Sequence, residues 1–89
     1  MTRAEFADAV YVLGLKYNAS VTSWFRSDAH NRVVGGVPHS AHRFALGVDL
    51  VYDAPVDAAA ITEDARRLGL KLLREGDHDH VQPLTWEAK

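Results

Sequence analysis

An aspartate stands in the middle of an apolar, strand-like run. In "FALGVDLVYD", residues 44–53, Asp49 has core-type residues on both sides. A carboxylate buried without a partner is costly. Any fold that uses this run as an interior strand must therefore bring Asp49 a cation, a set of hydrogen-bond donors or a metal ion. The chain is short, at 89 residues, and has no cysteine. A domain of this size buries only about 60–65% of its unfolded surface, and no disulfide is available to staple it.

The remaining segments supply the sheet and cover that such a strand needs. Thr2 and Glu5 have capping-box spacing, and Phe6, Ala9, Val10, Leu13 and Tyr17 follow at helical intervals. This predicts a helix ending near Asn18. "SVTSWFR", residues 20–26, is β-branched and aromatic and reads as a strand. Gly35, Gly36 and Pro38 then mark a loop. After the strand at 44–53, Asp57 is an N-cap for "AAAITEDARRLG", with Ile61, Ala65 and Leu68 on one face and Gly69 as the stop. "LKLLRE" (70–75) and "HDHVQPL" (78–84) read as two short strands turning at Gly76 and Asp77. The order αββαββ predicts an α+β fold, a small antiparallel sheet with helices packed against it, in a single domain over residues 1–89.

Charge and hydropathy exclude some partners. The net charge of −2, without a basic run, gives no electrostatic footprint for nucleic acid. No segment approaches the ~20 apolar residues of a membrane span. Glu5 and Asp8 make the N-terminus too polar for a signal peptide. A monomer made in a cytoplasm is expected, and action outside the cell would need another exit route.

With no thiolate available, metal-ligand chemistry would fall to His, Asp and Glu. His42, Asp49 and His80 would supply two imidazoles and one carboxylate, the kind of set that leaves a fourth zinc position open. His42 precedes the strand that holds Asp49, and His80 lies on a later strand able to pair beside it. Alternation puts His78 and His80 on one side and Val81 on the other. Blander readings also stand. His30 and His39 read as polar loop surface, "DHDH" (77–80) could be a solvated turn, and Asp49 could bind Arg26 or backbone amides.

Three segments, in order, resemble a known family. "SAHRFALGVDL" is similar to the S-x-H-x-x-G-x-A-x-D motif of the D-alanyl-D-alanine metallopeptidases, which share their fold with hedgehog signalling domains. "DHDH" resembles their second motif, and "FRSDAHNRVVGG" their upstream segment. Ala45 and Gly47 stand where the motif has Gly and Ala, so both positions stay small. The resemblance implies a zinc ion on His42, Asp49 and His80, Asp77 as general base, and His78 assisting at the oxyanion or the water. It also implies that Arg26 and Ser40 contact substrate. The implied substrate is a peptide stem or cross-link of bacterial cell-wall peptidoglycan. The implied reaction is that of a D-Ala-D-Ala carboxypeptidase or an endopeptidase, with phage lysis enzymes among the relatives. The competing expectation is a metal-containing binding module of the same fold that has lost catalysis; the presence of Asp77 and His78 speaks against it. A non-haem iron oxygenase also uses two His and one carboxylate, but such sites place the carboxylate two residues after the first His.

Overall fold

The computed structural model describes residues 1–24 and 46–85. Thr2 starts the first helix. Its hydroxyl accepts from the Glu5 N–H at 3.1 Å, and Glu5 Oε1 accepts from the Thr2 N–H at 2.7 Å. This reciprocal cap satisfies two amide donors that a helix start leaves over. Helix α1 (Arg3–Tyr17) buries Phe6, Ala9, Val10 and Leu13, an i, i+3, i+4, i+7 stripe. It ends at Asn18, whose φ of 51° is a left-handed conformation that asparagine tolerates better than most residues.

Strands β1 (Ala19–Ser23) and β2 (Val48–Tyr52) follow, then α2 (Ala58–Arg67), β3 (Leu70–Arg74) and β4 (Asp79–Pro83). Asp57 caps α2 by accepting from the Ala60 N–H at 3.0 Å. Gly69, at φ 79°, turns the chain out of α2 into β3. The expected order αββαββ is the observed one among the described residues, and the fold is α+β. The strands are shorter than their sequence runs. Phe25, Arg26, Phe44 and Ala45 lie outside the described residues, Leu46 and Gly47 precede β2, and His78 belongs to the turn before β4.

The four strands form one sheet in the order β1-β2-β4-β3, and every neighbouring pair is antiparallel. It follows that β2 and β3 run parallel to each other, with α2 connecting them and β4 inserted between. This is a split βαβ arrangement, and its consequence for the site is direct. Inserting β4 lays the last strand beside β2, so that Val48 opposes Val81, Asp49 opposes His80 and Leu50 opposes Asp79.

Alternation then sorts the residues by face. Val48, Leu50, Leu70, Leu72 and Val81 join the α1 stripe and Ile61 and Ala65 of α2 in one buried cluster. Trp24 closes one end of it, packing edge-on against Phe6 with ring centroids 6.0 Å apart. Asp49, His80 and Gln82 project from the opposite face. β4 is paired on both sides at His80, which opposes Asp49 and Leu73, while Gln82 opposes Lys71 of β3.

Candidate metal centre

Asp49 and His80 are directly opposed on β2 and β4, and Asp49 Oδ1 lies 3.3 Å from His80 Nδ1. Both side chains are largely shielded, at 17% and 11% exposure. The other ring nitrogen of His80, Nε2, is 2.8 Å from Gln82 Oε1. An amide oxygen only accepts, so the tautomer of a neutral His80 that satisfies Gln82 Oε1 carries its proton on Nε2. Nδ1 then turns its lone pair toward Asp49 Oδ1. In that tautomer a cation between Nδ1 and Oδ1 relieves the repulsion of the two facing lone pairs, whereas in the other tautomer Nδ1–H donates to Asp49. Four ligands arranged tetrahedrally at zinc bonds of about 2.1 Å stand about 3.4 Å from one another. The Asp49–His80 separation of 3.3 Å matches that edge. Nitrogen and oxygen donors without sulfur suit zinc, and Asp49 and His80 have the chemistry and spacing to hold it.

Glu75 adds a third donor. It follows β3, and its N–H donates to the His78 carbonyl at 2.9 Å across a turn in which Gly76 takes φ 81°. That closure returns the Glu75 side chain to the face of Asp49 and His80. Among the described residues, Asp49, Glu75 and His80 form a group in which one ligand atom from each lies within 4.8 Å of the others.

His78 sits at the rim of this group. Its Nδ1 is 2.8 Å from Asp77 Oδ1, while Nε2 is 3.7 Å from Glu75 Oε1 and 3.9 Å from Asp49 Oδ1. The hydrogen bond to Asp77 is the main cause that holds the imidazole above its ordinary pKa. Asp49 and Glu75 add to it through their charge, and partial burial opposes it. The same bond, first of all, lowers the Asp77 carboxyl. The imidazolium–carboxylate form of the pair is thus favoured, at a place where the Asp77 side chain is 95% exposed.

Of the residues that the sequence singles out, Asp49, His78 and His80 come together, and Asp77 joins them through His78. Arg26, Ser40 and His42 lie outside the described residues, as do His30 and His39. Asp79 faces the other way, as alternation predicts. It is 2% exposed and accepts from the Tyr52 hydroxyl at 2.6 Å and from Arg74 Nε at 2.8 Å. Glu75 and Gln82 are not among the residues that the sequence singles out. The signal for Gln82 was available, since it is two residues beyond His80 on the same strand and must share its face. For Glu75 the signal was the Gly76 turn, which carries the end of one strand back over the start of the next.

A hollow among the described residues lies elsewhere. A concavity of about 480 Å3 between α1 and β1 is lined by apolar side chains such as Val10, Tyr11, Val21 and Trp24, and none of Asp49, Glu75, His78 and His80 borders it. Among the described residues its lining offers no cluster of acid–base groups. Asp49, Glu75, His78 and His80 converge on the opposite face of the sheet, which neither of the described helices covers. None of the described helices is long and apolar enough to cross a membrane.

No curated protein and no solved structure matches the chain. A family model described as Peptidase M15 matches residues 4–82. That span runs from the first turn of α1 into β4 and takes in Asp49, Glu75, His78, His80 and Gln82; the chain belongs to the peptidase M15 family.

Proposed function

We propose that this domain hydrolyses a peptide bond in bacterial peptidoglycan with the help of one zinc ion held by His42, Asp49 and His80. The observation that carries the reading is the pairing of Asp49 with His80 on adjacent strands, Oδ1 to Nδ1 at 3.3 Å, within a peptidase family match. The family's general dependence on metal supports the cofactor, and the all-nitrogen-and-oxygen donor set supports zinc. The bond cut is a D-Ala-D-Ala linkage or a stem or cross-link amide. The enzyme reaches the wall after release from the cell that makes it, as a lysis enzyme does.

Zinc, when bound, supplies Lewis acidity toward a carbonyl oxygen and makes water acidic near neutral pH. The chain's own residues do the rest. Asp77 accepts a proton from the attacking water and returns it to the leaving amine as the C–N bond breaks. His78, whose pKa is raised first by its bond to Asp77 and then by the charges of Asp49 and Glu75, offers an N–H donor, and in its protonated form positive charge, where the carbonyl oxygen becomes negative. Arg26 holds a carboxylate or carbonyl of the substrate through its planar fork, with Ser40 beside the first ligand.

One observation favours a variant of this scheme. Glu75, not Asp77, stands in the three-donor group with Asp49 and His80. In that variant Glu75 is the proton acceptor and Asp77 serves to charge His78. The rival at the level of function is a metal-containing binding module without catalysis. The test is digestion of purified peptidoglycan by zinc-supplemented protein, with products read by mass spectrometry. The reading expects new amine and carboxyl termini within the stem peptides, and none with Asp49→Ala. Intact stem peptides after digestion with protein that carries zinc would favour the binding module.

A further inference from the structure

We propose that Gln82 is the positioning residue of the metal centre: its side-chain oxygen holds the Nε2–H of His80 and so presents Nδ1 to the metal. This rests on the reading of Asp49 and His80 as ligands. Three observations carry it. Gln82 Oε1 lies 2.8 Å from His80 Nε2, a normal hydrogen-bond length. The two residues are i and i+2 on β4, so they share a face by strand geometry. Both lie in a paired strand, His80 opposite Asp49 on one side and Leu73 on the other, and Gln82 opposite Lys71. The acceptor is therefore fixed to the same rigid backbone as the ring that it orients.

The chemistry follows from what each atom can do. A neutral imidazole has one N–H and one lone pair, and the partner of one nitrogen decides which is which. Gln82 claims the N–H at Nε2. The lone pair is left on Nδ1, which is the nitrogen that faces Asp49 Oδ1 at 3.3 Å. In the other tautomer Nδ1–H would point at Asp49, the Nε2 lone pair would face Gln82 Oε1, and Nδ1 could not bind a metal. Gln82 thus selects the ligating tautomer before metal arrives, and it limits rotation of the ring about its two side-chain torsions. Outer partners of this kind are typically worth about 10–100-fold in metal affinity.

The test uses the full chain in two measurements. In metal-free, 15N-labelled protein, long-range proton–nitrogen correlation at a pH where His80 is neutral should show a protonated-type nitrogen at Nε2 and a lone-pair-type nitrogen at Nδ1. Zinc should then perturb Nδ1. Second, zinc affinity is measured by competition with a chromogenic chelator. Gln82→Met keeps the length of the side chain and removes the acceptor, and should weaken zinc binding about 10–100-fold. Gln82→Glu restores an acceptor and should recover binding to the wild-type level or beyond. A lone-pair-type Nε2 in the wild type would overturn the proposal, and so would Gln82→Met binding zinc as tightly as wild type. If Gln82→Met does not fold, the wild-type tautomer and the Gln82→Glu affinity still decide; weak zinc binding by folded Gln82→Glu would count against Gln82. Failure of the wild type to bind any zinc would remove the underlying metal reading, while the tautomer measurement would still report whether Gln82 orients the ring.

Discussion

Removing the Tyr52 hydroxyl should destabilise the fold without disturbing the chemistry. Asp79 is 2% exposed on the helix-covered face of the sheet. Its Oδ2 accepts from Tyr52 of β2 at 2.6 Å, and its Oδ1 from Arg74 of β3 at 2.8 Å. One carboxylate on β4 thus clamps the strands on either side. Burial first, and then the bond to Asp79, raises the Tyr52 phenol, which therefore remains a protonated donor through the neutral range. In Tyr52→Phe the ring and its packing stay, but a buried carboxylate oxygen loses a donor. Such a loss costs about 1–3 kcal/mol. For a chain of 89 residues, an unfolding entropy of about 2.1 cal/mol/K per residue gives about 0.19 kcal/mol/K. The melting temperature of the metal-free protein should then fall by about 5–16 °C, read by circular dichroism. Well below that transition the variant should bind zinc and turn over substrate as the wild type does, because Asp49 and His80 occupy the other face. An unchanged melting temperature would show that Asp79 does not depend on Tyr52. Loss of zinc from a variant that melts like wild type would put Asp79 in the site and refute the assignment of faces.

Other outcomes follow from the same geometry. Asp77→Asn should lose about 10²–10⁴-fold in turnover with zinc retained; that profile in Glu75→Gln, with Asp77→Asn active, would move the base to Glu75. Phe6→Ala, at a fully buried position between α1 and Trp24, should cost about 3–5 kcal/mol in a denaturant titration. Asp64 has its carboxyl pKa lowered, first by its bond to Lys16 and then by Tyr17. A folded-state pKa below the unfolded value stabilises the protein above the unfolded pKa of about 3.9, and the benefit is lost as pH falls through the folded value. Asp64→Asn should therefore be less stable than wild type near neutrality, and the gap in denaturation midpoints should close as the pH is taken down through that window. A gap that persists undiminished in acid would mean that the carboxylate charge is not what stabilises the fold.

The sequence made the elements readable where the cause is local. Thr2 with Glu5, Asn18, Asp57 and Gly69 are caps and stops whose effect depends on a few neighbouring bonds, and each acts where its type predicts. Asp49 stood out because a carboxylate inside an apolar strand contradicts its surroundings unless something meets it. The face of each β4 residue also followed from alternation alone, with His80 on one side and Val81 in the core on the other. What meets Asp49 depends on strand order, which is a long-range property. Only the insertion of β4 between β2 and β3 brings residue 80 opposite residue 49. The same insertion creates the Tyr52–Asp79–Arg74 clamp, so "DHDH", read locally as a run of polar residues at a turn, holds one of the most buried carboxylates of the fold. Glu75 is hidden from the sequence for a similar reason. Its membership of the donor group depends on how tightly the Gly76 turn folds back, a matter of backbone geometry that residue type does not fix.

The most direct test of the central claim is a zinc titration of chelator-stripped protein, with hydrolysis of a peptidoglycan stem peptide followed at each addition. A zinc peptidase centred on Asp49 and His80 predicts no turnover without metal, a rise that ends at one equivalent of zinc per chain, and no recovery in Asp49→Ala at any zinc level. Hydrolysis that persists in the stripped protein, or a wild-type chain that binds its full equivalent of zinc and cleaves nothing, would contradict it.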